Sequence, residues 1–158
     1  MKKGVLFLSI TFMAGVTFVN IYNSVVDARS WGQNIPESVQ ATRVYFSAVN
    51  PGTFFRFFSP VNQVLALLAL FLFWKKSKKV KLFLAIAFLI AVFTDVFTFA
   101  YFYPRNNLLM TLSLSEINHL AEVISQWQFM NWVRSAILVI ALLFSFLGLN
   151  EVYRHKSV

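Results

Sequence analysis

The chain has 158 residues, 58% of them apolar and 18% aromatic, with a mean hydropathy of +0.66. That is too apolar for a soluble domain, where about 45–50% is usual, and the lack of cysteine excludes a disulfide framework, a haem-attachment motif and a thiolate metal site. The net charge of +8 does not point to nucleic acid, because the lysines sit at the ends of apolar runs, where they read as topology signals.

The first apolar run covers residues 4–26, after Lys2 and Lys3. A basic start and an apolar centre also suit a signal peptide. The length of the run and the missing small-x-small cleavage pattern favour a retained helix. Its late half is polar, and Asn20, Asn23 and Asp27 recur at spacings of three and four, which places them on one face. Residues 28–52 form the longest connection. Trp31, Gly32, Asn34 and Pro36 read as turn and interface, and residues 38–49 suit a short helix that lies on the membrane surface or caps the bundle. Asn50-Pro51-Gly52 is a break.

The second run covers 54–74, with Arg56, Pro60, Asn62 and Gln63 near its start. It ends in Lys75, Lys76, Lys78, Lys79 and Lys81, a basic loop that fixes orientation and attracts anionic headgroups. The third run, 82–103, carries one charge, Asp95, with the small residues Ala87 and Ala91 on roughly the same side. Pro104-Arg105-Asn106-Asn107 is expected to end this helix, with 108–114 as a re-entrant or surface connection. Ser113 or Ser115 would cap a last helix whose membrane span is about 120–149.

Each run is long enough for a hydrocarbon core of about 30 Å. Only four crossings place Lys2, Lys3, the basic loop, Arg154 and Lys156 on one side. The expected fold is therefore an all-α integral membrane four-helix bundle, a single domain over 1–158, with a short extra helix in the first outer loop. Both termini are expected in the cytoplasm, and the location is expected to be a bacterial cytoplasmic membrane. At about 1.5 Å per residue, Asn20, Asn62, Asp95 and Arg134 all rise roughly 18–24 Å above the inner boundary. Four helices bringing polar groups to one depth predict a shared, outward-opening polar pocket above a dry inner half.

Asp95 and Arg134 are the natural ion pair, serving either as a lock between two helices or as a device that holds and orients a ligand oxygen. His119-x-x-Glu122 offers two metal ligands from adjacent turns, with Asp27 as a third candidate. The same residues equally suit plain headgroup solvation, or a proton-handling role for His119. His119 and His155 lie at opposite ends, which argues against a bis-histidine cytochrome. No glycine-rich phosphate loop, zinc protease motif or nucleophile elbow is present.

The layout resembles the DUF1772 membrane proteins, a group that includes anthrone-oxygenase-like proteins. The resemblance rests on Gly15 and Asn20-Ile21-Tyr22 in the first helix, and on Pro104-Arg105-Asn106 with Leu109 nearby. Trp127, Asn131 and Arg134 complete it on the last helix. In that family the position of Asn131 is often histidine, so an acid–base role there is in doubt. The resemblance implies a small four-helix membrane protein that oxidises a polycyclic phenolic or other hydrophobic substrate, with no cofactor assigned. Arg134 would stabilise an oxyanion, and Asp95 or His119 would handle the proton. Asn20, Asp27, Asn62, Arg105, Asn106, Glu122, Trp127 and Asn131 complete the candidate site. The expected partners are the bilayer, a small hydrophobic ligand and a further subunit or second copy. An accessory subunit of a membrane complex, or a transport or channel subunit, remains as an alternative reading.

Overall fold

The computed structural model describes residues 2–154 and is all-helical. Four helices are long and apolar enough to cross a membrane: α1 (Lys2–Trp31), α3 (Pro51–Phe73), α4 (Lys78–Thr111) and α5 (Ile117–Arg154). The short α2 (Glu37–Tyr45) lies in the first outer connection. The molecule is an integral membrane four-helix bundle. His155 and Lys156, which were expected at the basic end, lie outside the described residues.

Local chemistry explains the boundaries. Asn50 is extended and Pro51 occupies the first turn of α3, where its missing N–H has no helical partner to lose, so the Asn-Pro-Gly break is the helix start. Pro60 sits inside α3 without ending it. Ser77 starts α4 by accepting the Val80 N–H at 3.3 Å.

Two expectations about helix ends are corrected. α1 runs to Trp31 because a π-helical turn, Asn23–Asp27, carries the chain through its polar end without a break. α4 does not end at Pro104, and residues 108–111 belong to the helix instead of a re-entrant segment. A second π turn, Thr98–Phe102, directly precedes Pro104. The wider turn makes room for the proline ring, and Arg105 Nη1 donates to the Tyr101 carbonyl at 3.2 Å.

The long helices form a ring in the order α1–α3–α4–α5, with α5 closing back on α1. At one end, Leu6, Leu70, Phe73, Val80, Leu84 and Val152 pack in a single cluster. The Lys3 ammonium lies 3.7 Å from the Tyr153 ring centroid, and Lys81 lies 4.9 Å from that of Trp74. The basic N-terminus, the lysine loop and the end of α5 therefore share one end of the bundle. Here α5 approaches α4 through Gly148, where an added Cβ would stand 2.7 Å from Leu84 Cδ2. At the other end α2 is pinned to the outer end of α4. Arg43 donates from Nε to the Leu109 carbonyl at 2.7 Å and from Nη2 to the Leu112 carbonyl at 2.8 Å. These are carbonyls that a helix C-terminus leaves without partners.

Candidate functional site

The outer half of the bundle is held by an apolar cluster around Phe102, Leu120, Ile124 and Trp127 and by buried polar side chains. Asn20 and Asn131 are both fully buried between α1 and α5. Asn20 donates to Ser135 Oγ at 2.7 Å, and Asn131 donates to Ser24 Oγ at 2.6 Å. The two serine hydroxyls lie 3.2 Å apart. In lipid no water replaces such partners, so a closed set of bonds ties α1 firmly to α5.

Arg134 grows out of this set. Its Nη2 donates to Asn131 Oδ1 at 2.6 Å, and its Nη1 donates to Thr98 Oγ1 at 3.2 Å, on the first residue of the second π turn. The guanidinium carbon lies 4.1 Å from the Phe102 ring centroid and 5.3 Å from that of Phe55, so aromatic faces take up part of its charge. The residue is only 5% exposed, and its Nε has no partner among the described residues.

Asp95 does not form the expected ion pair with Arg134. Its carboxylate accepts a hydrogen bond from Gln63 Nε2 on α3, with a further polar contact from the Ser59 hydroxyl. The physical reason is direction. Arg134 spends its Nη groups on its own helix and on Thr98, while Asp95 turns to α3. The two charges act on each other through space.

Both groups border a cavity of about 260 Å³ between α1, α3, α4 and α5, with Thr42, Arg43 and Phe46 of α2 and its following loop over the outer end. Asn20, Asn62, Trp127 and Asn106 line the same cavity. The Trp127 indole donates to Asn106 Oδ1 at 2.8 Å. Asn62 donates only to the Met13 sulfur, at 3.7 Å. The Oδ1 atoms of Asn20 and Asn62 have no partner among the described residues. The site therefore sets a cationic side chain and two amides, each with one buried atom left without a partner among the described residues, among aromatic and aliphatic walls. Asn131 stands behind Arg134, outside the lining.

Four expected residues lie elsewhere. His119 is exposed and sits 3.6 Å from Glu116, the residue just before α5. Glu122 accepts from Gln126 at 2.9 Å, and Gln126 accepts from Arg105 at 3.1 Å, which forms an outer surface chain. Arg105 also stacks on Tyr101 at 3.5 Å. Asp27 is partly buried on α1 and does not line the cavity. Among the described residues no three His, Asp or Glu side chains gather as a metal-ligating group, so His119, Glu122 and Asp27 do not meet. The helical wheel explains the separation. The buried positions of α5 centre near Leu120 and Leu138, and at about 100° per residue His119 stands roughly 100° from that centre and Glu122 roughly 160°.

The sequence did not place Ser24, Gln63, Thr98 and Ser135 in the candidate site, nor the rings of Phe55 and Phe102. A signal for some of them exists. Ser24 and Ser135 stand four residues after Asn20 and Asn131, and Ser59, Asn62 and Gln63 repeat at three and four on α3. The phenylalanines carry no such signal among nineteen.

No curated protein and no solved structure matches the chain significantly. A family model described as anthrone oxygenase matches residues 52–144. The match takes in α3, α4 and most of α5, and with them Asp95, Pro104, Asn106, Trp127, Asn131 and Arg134. With more than half of its length matched, the chain belongs to the anthrone oxygenase family.

Proposed function

We propose that the protein is a membrane oxygenase for an electron-rich, fused-ring phenolic ketone of the anthrone type, bound in the cavity beneath α2. The observation that carries this reading is Arg134, a buried guanidinium clamped between two phenylalanine rings, with its Nε unpaired at a cavity that Asp95 also borders. The cavity volume, about 260 Å³, is near the lower end of small-molecule sites, about 300 Å³.

In this mechanism the Asp95 carboxylate removes a proton from the methylene carbon between the rings. The electron pair moves to the ketone oxygen, and Arg134 holds the resulting oxyanion. The enolate passes one electron to dioxygen, and the two radicals join as a carbon-bound peroxide that takes the proton back from Asp95 to give the hydroperoxide. The O–O bond then breaks while the remaining C–H proton leaves, which gives the quinone and water. One substrate and one dioxygen yield one quinone and one water. His119 takes no part, because it is exposed outside the cavity. The basic end faces the cytoplasm in this reading, which places the cavity in the outer half of the bilayer.

The test uses protein in lipid nanodiscs and 1,8-dihydroxyanthrone, with quinone followed by absorbance above the protein-free rate. Arg134→Gln is expected to lower turnover by about 10²-fold, and Asp95→Asn is expected to lower it strongly. Unchanged turnover in a folded Arg134→Gln protein would end this reading.

A further inference from the structure

The cavity is not closed on every side. α3 packs on the Lys78–Phe97 part of α4, whereas the outer part, Tyr103–Thr111, packs mainly on α5. Apart from Asn50 at the outer end, the cavity-lining residues that remain exposed fall on these two helices. On α4 they are Phe99, Tyr103, Asn106 and Met110, and on α3 they are Arg56 and Pro60, one turn apart. The α4 set follows helical spacing down one face over roughly 16 Å. Phe99 is 62% exposed and Tyr103 51%, whereas Val16, Asn20, Trp127 and Leu138 on the α1 and α5 walls are buried. Over the outer end, Arg43 ties α2 to the end of α4.

We propose that this slit between α3 and α4 opens the cavity sideways to the hydrocarbon of the bilayer, so that its ligand is a membrane-dissolved planar aromatic and not a water-borne molecule. The proposal deepens the reading of the cavity as a ligand site by giving the ligand's phase and route. The rim suits such a passage. Arg56 and Asn106 stand towards its outer end, where a polar oxygen travels at headgroup depth. Pro60 and Phe99 stand deeper, where rings slide between rings. An arriving oxygen meets Arg134, Asn20 and Asn62, which line the cavity, only after passing this rim. Phe99 and Tyr103, stacked with centroids 5.6 Å apart, are the residues that set the slit's width from the α4 side.

The experiment follows tryptophan quenching in nanodiscs and needs no turnover. Trp74→Phe and Trp132→Phe leave Trp31 and Trp127, which both line the cavity and touch at 4.8 Å. The quenchers are 1-bromonaphthalene dissolved in the bilayer and iodide in the water. Phe99→Cys, in a chain without cysteine, is alkylated with a bulky maleimide. Phe18→Cys, on a lipid-facing position of α1 away from the cavity, is alkylated in the same way as the control. The expected result is strong quenching by bromonaphthalene, lost on alkylation of the Phe99→Cys protein and kept on alkylation of the Phe18→Cys protein, with little effect of iodide. Equal quenching by iodide, no quenching by bromonaphthalene, or indifference to the adduct on Phe99→Cys would each overturn the slit. So would ready disulfide dimers of the Phe99→Cys protein, which would mean that a second copy covers it. Quenching through the slit together with unchanged turnover in Arg134→Gln would retain the route and discard the oxygenase reading.

Discussion

The two halves of the bundle use the same four helices and solve packing differently. In the inner half the contacts are between apolar surfaces. Leu6, Ile10, Ala69, Phe73, Val80 and Leu84 fill the space, and Gly148 lets α5 settle against Leu84. In the outer half an apolar cluster around Phe102, Leu120, Ile124 and Trp127 is joined by buried hydrogen bonds, which link mainly α1 to α5 through Asn20, Ser24, Asn131 and Ser135. Both π turns fall in this half, next to the polar set. Apolar packing removes voids, because dispersion rewards contact on every side. Hydrogen bonding holds groups at fixed spacings and tolerates a void beside them. The difference shows how a small membrane bundle keeps a cavity open without losing its shape.

The sharpest way to break this comparison is to remove the cation. Arg134→Ala is expected to reduce anthrone turnover by about 10²–10³-fold while the inner half stays folded, as judged by thermal unfolding in detergent. Asn131→Leu comes next. It takes the acceptor from Arg134 and the donor from Ser24, and a loss of about 1–3 kcal/mol is expected in reversible unfolding, with turnover falling as Arg134 loses its anchor. Gly148→Leu probes the other half. Overpacking against Leu84 is expected to cost about 1–3 kcal/mol, yet turnover per folded molecule should be unchanged. If Gly148→Leu reduced turnover as much as Asn131→Leu, the two halves would not be independent.

Smaller effects test the edges of the site. Arg43→Gln removes one of the two bonds that hold α2 to the end of α4, and faster hydrogen exchange over residues 37–45 is expected without a change elsewhere. The double change His119→Ala with Glu122→Gln should alter stability by no more than about 0.5 kcal/mol and leave turnover at the parental level. A large loss of activity there would return the outer surface to the site.

Part of this arrangement was legible beforehand. Asn20, Asn62, Asp95 and Arg134 stand out because polar groups in apolar runs are rare, and all four border the cavity. His119 and Glu122 stand out for their metal-ligand spacing and lie outside it. Their wheel positions on α5 overlap the edge of the polar stripe, and the stripe cannot tell which edge faces inward. Pro104 misled for a related reason. Its effect on α4 depends on the π turn before it, which no periodic pattern announces.

What the sequence by itself determined is the number of membrane helices and the gathering of the basic residues at one end. Those follow from local quantities, the length of each apolar run and the lysines at its ends, since lipid requires every spanning backbone to satisfy its own hydrogen bonds. What the tertiary structure decided is which side chains meet. Each π turn adds a residue to a helical turn and rotates everything beyond it by roughly 100°. Asp95 stands before the second π turn and meets Gln63 on α3, while Thr98 and Phe102, the two ends of that turn, meet Arg134. Facing is a property of pairs of helices, and a cavity exists only where four of them agree to leave room.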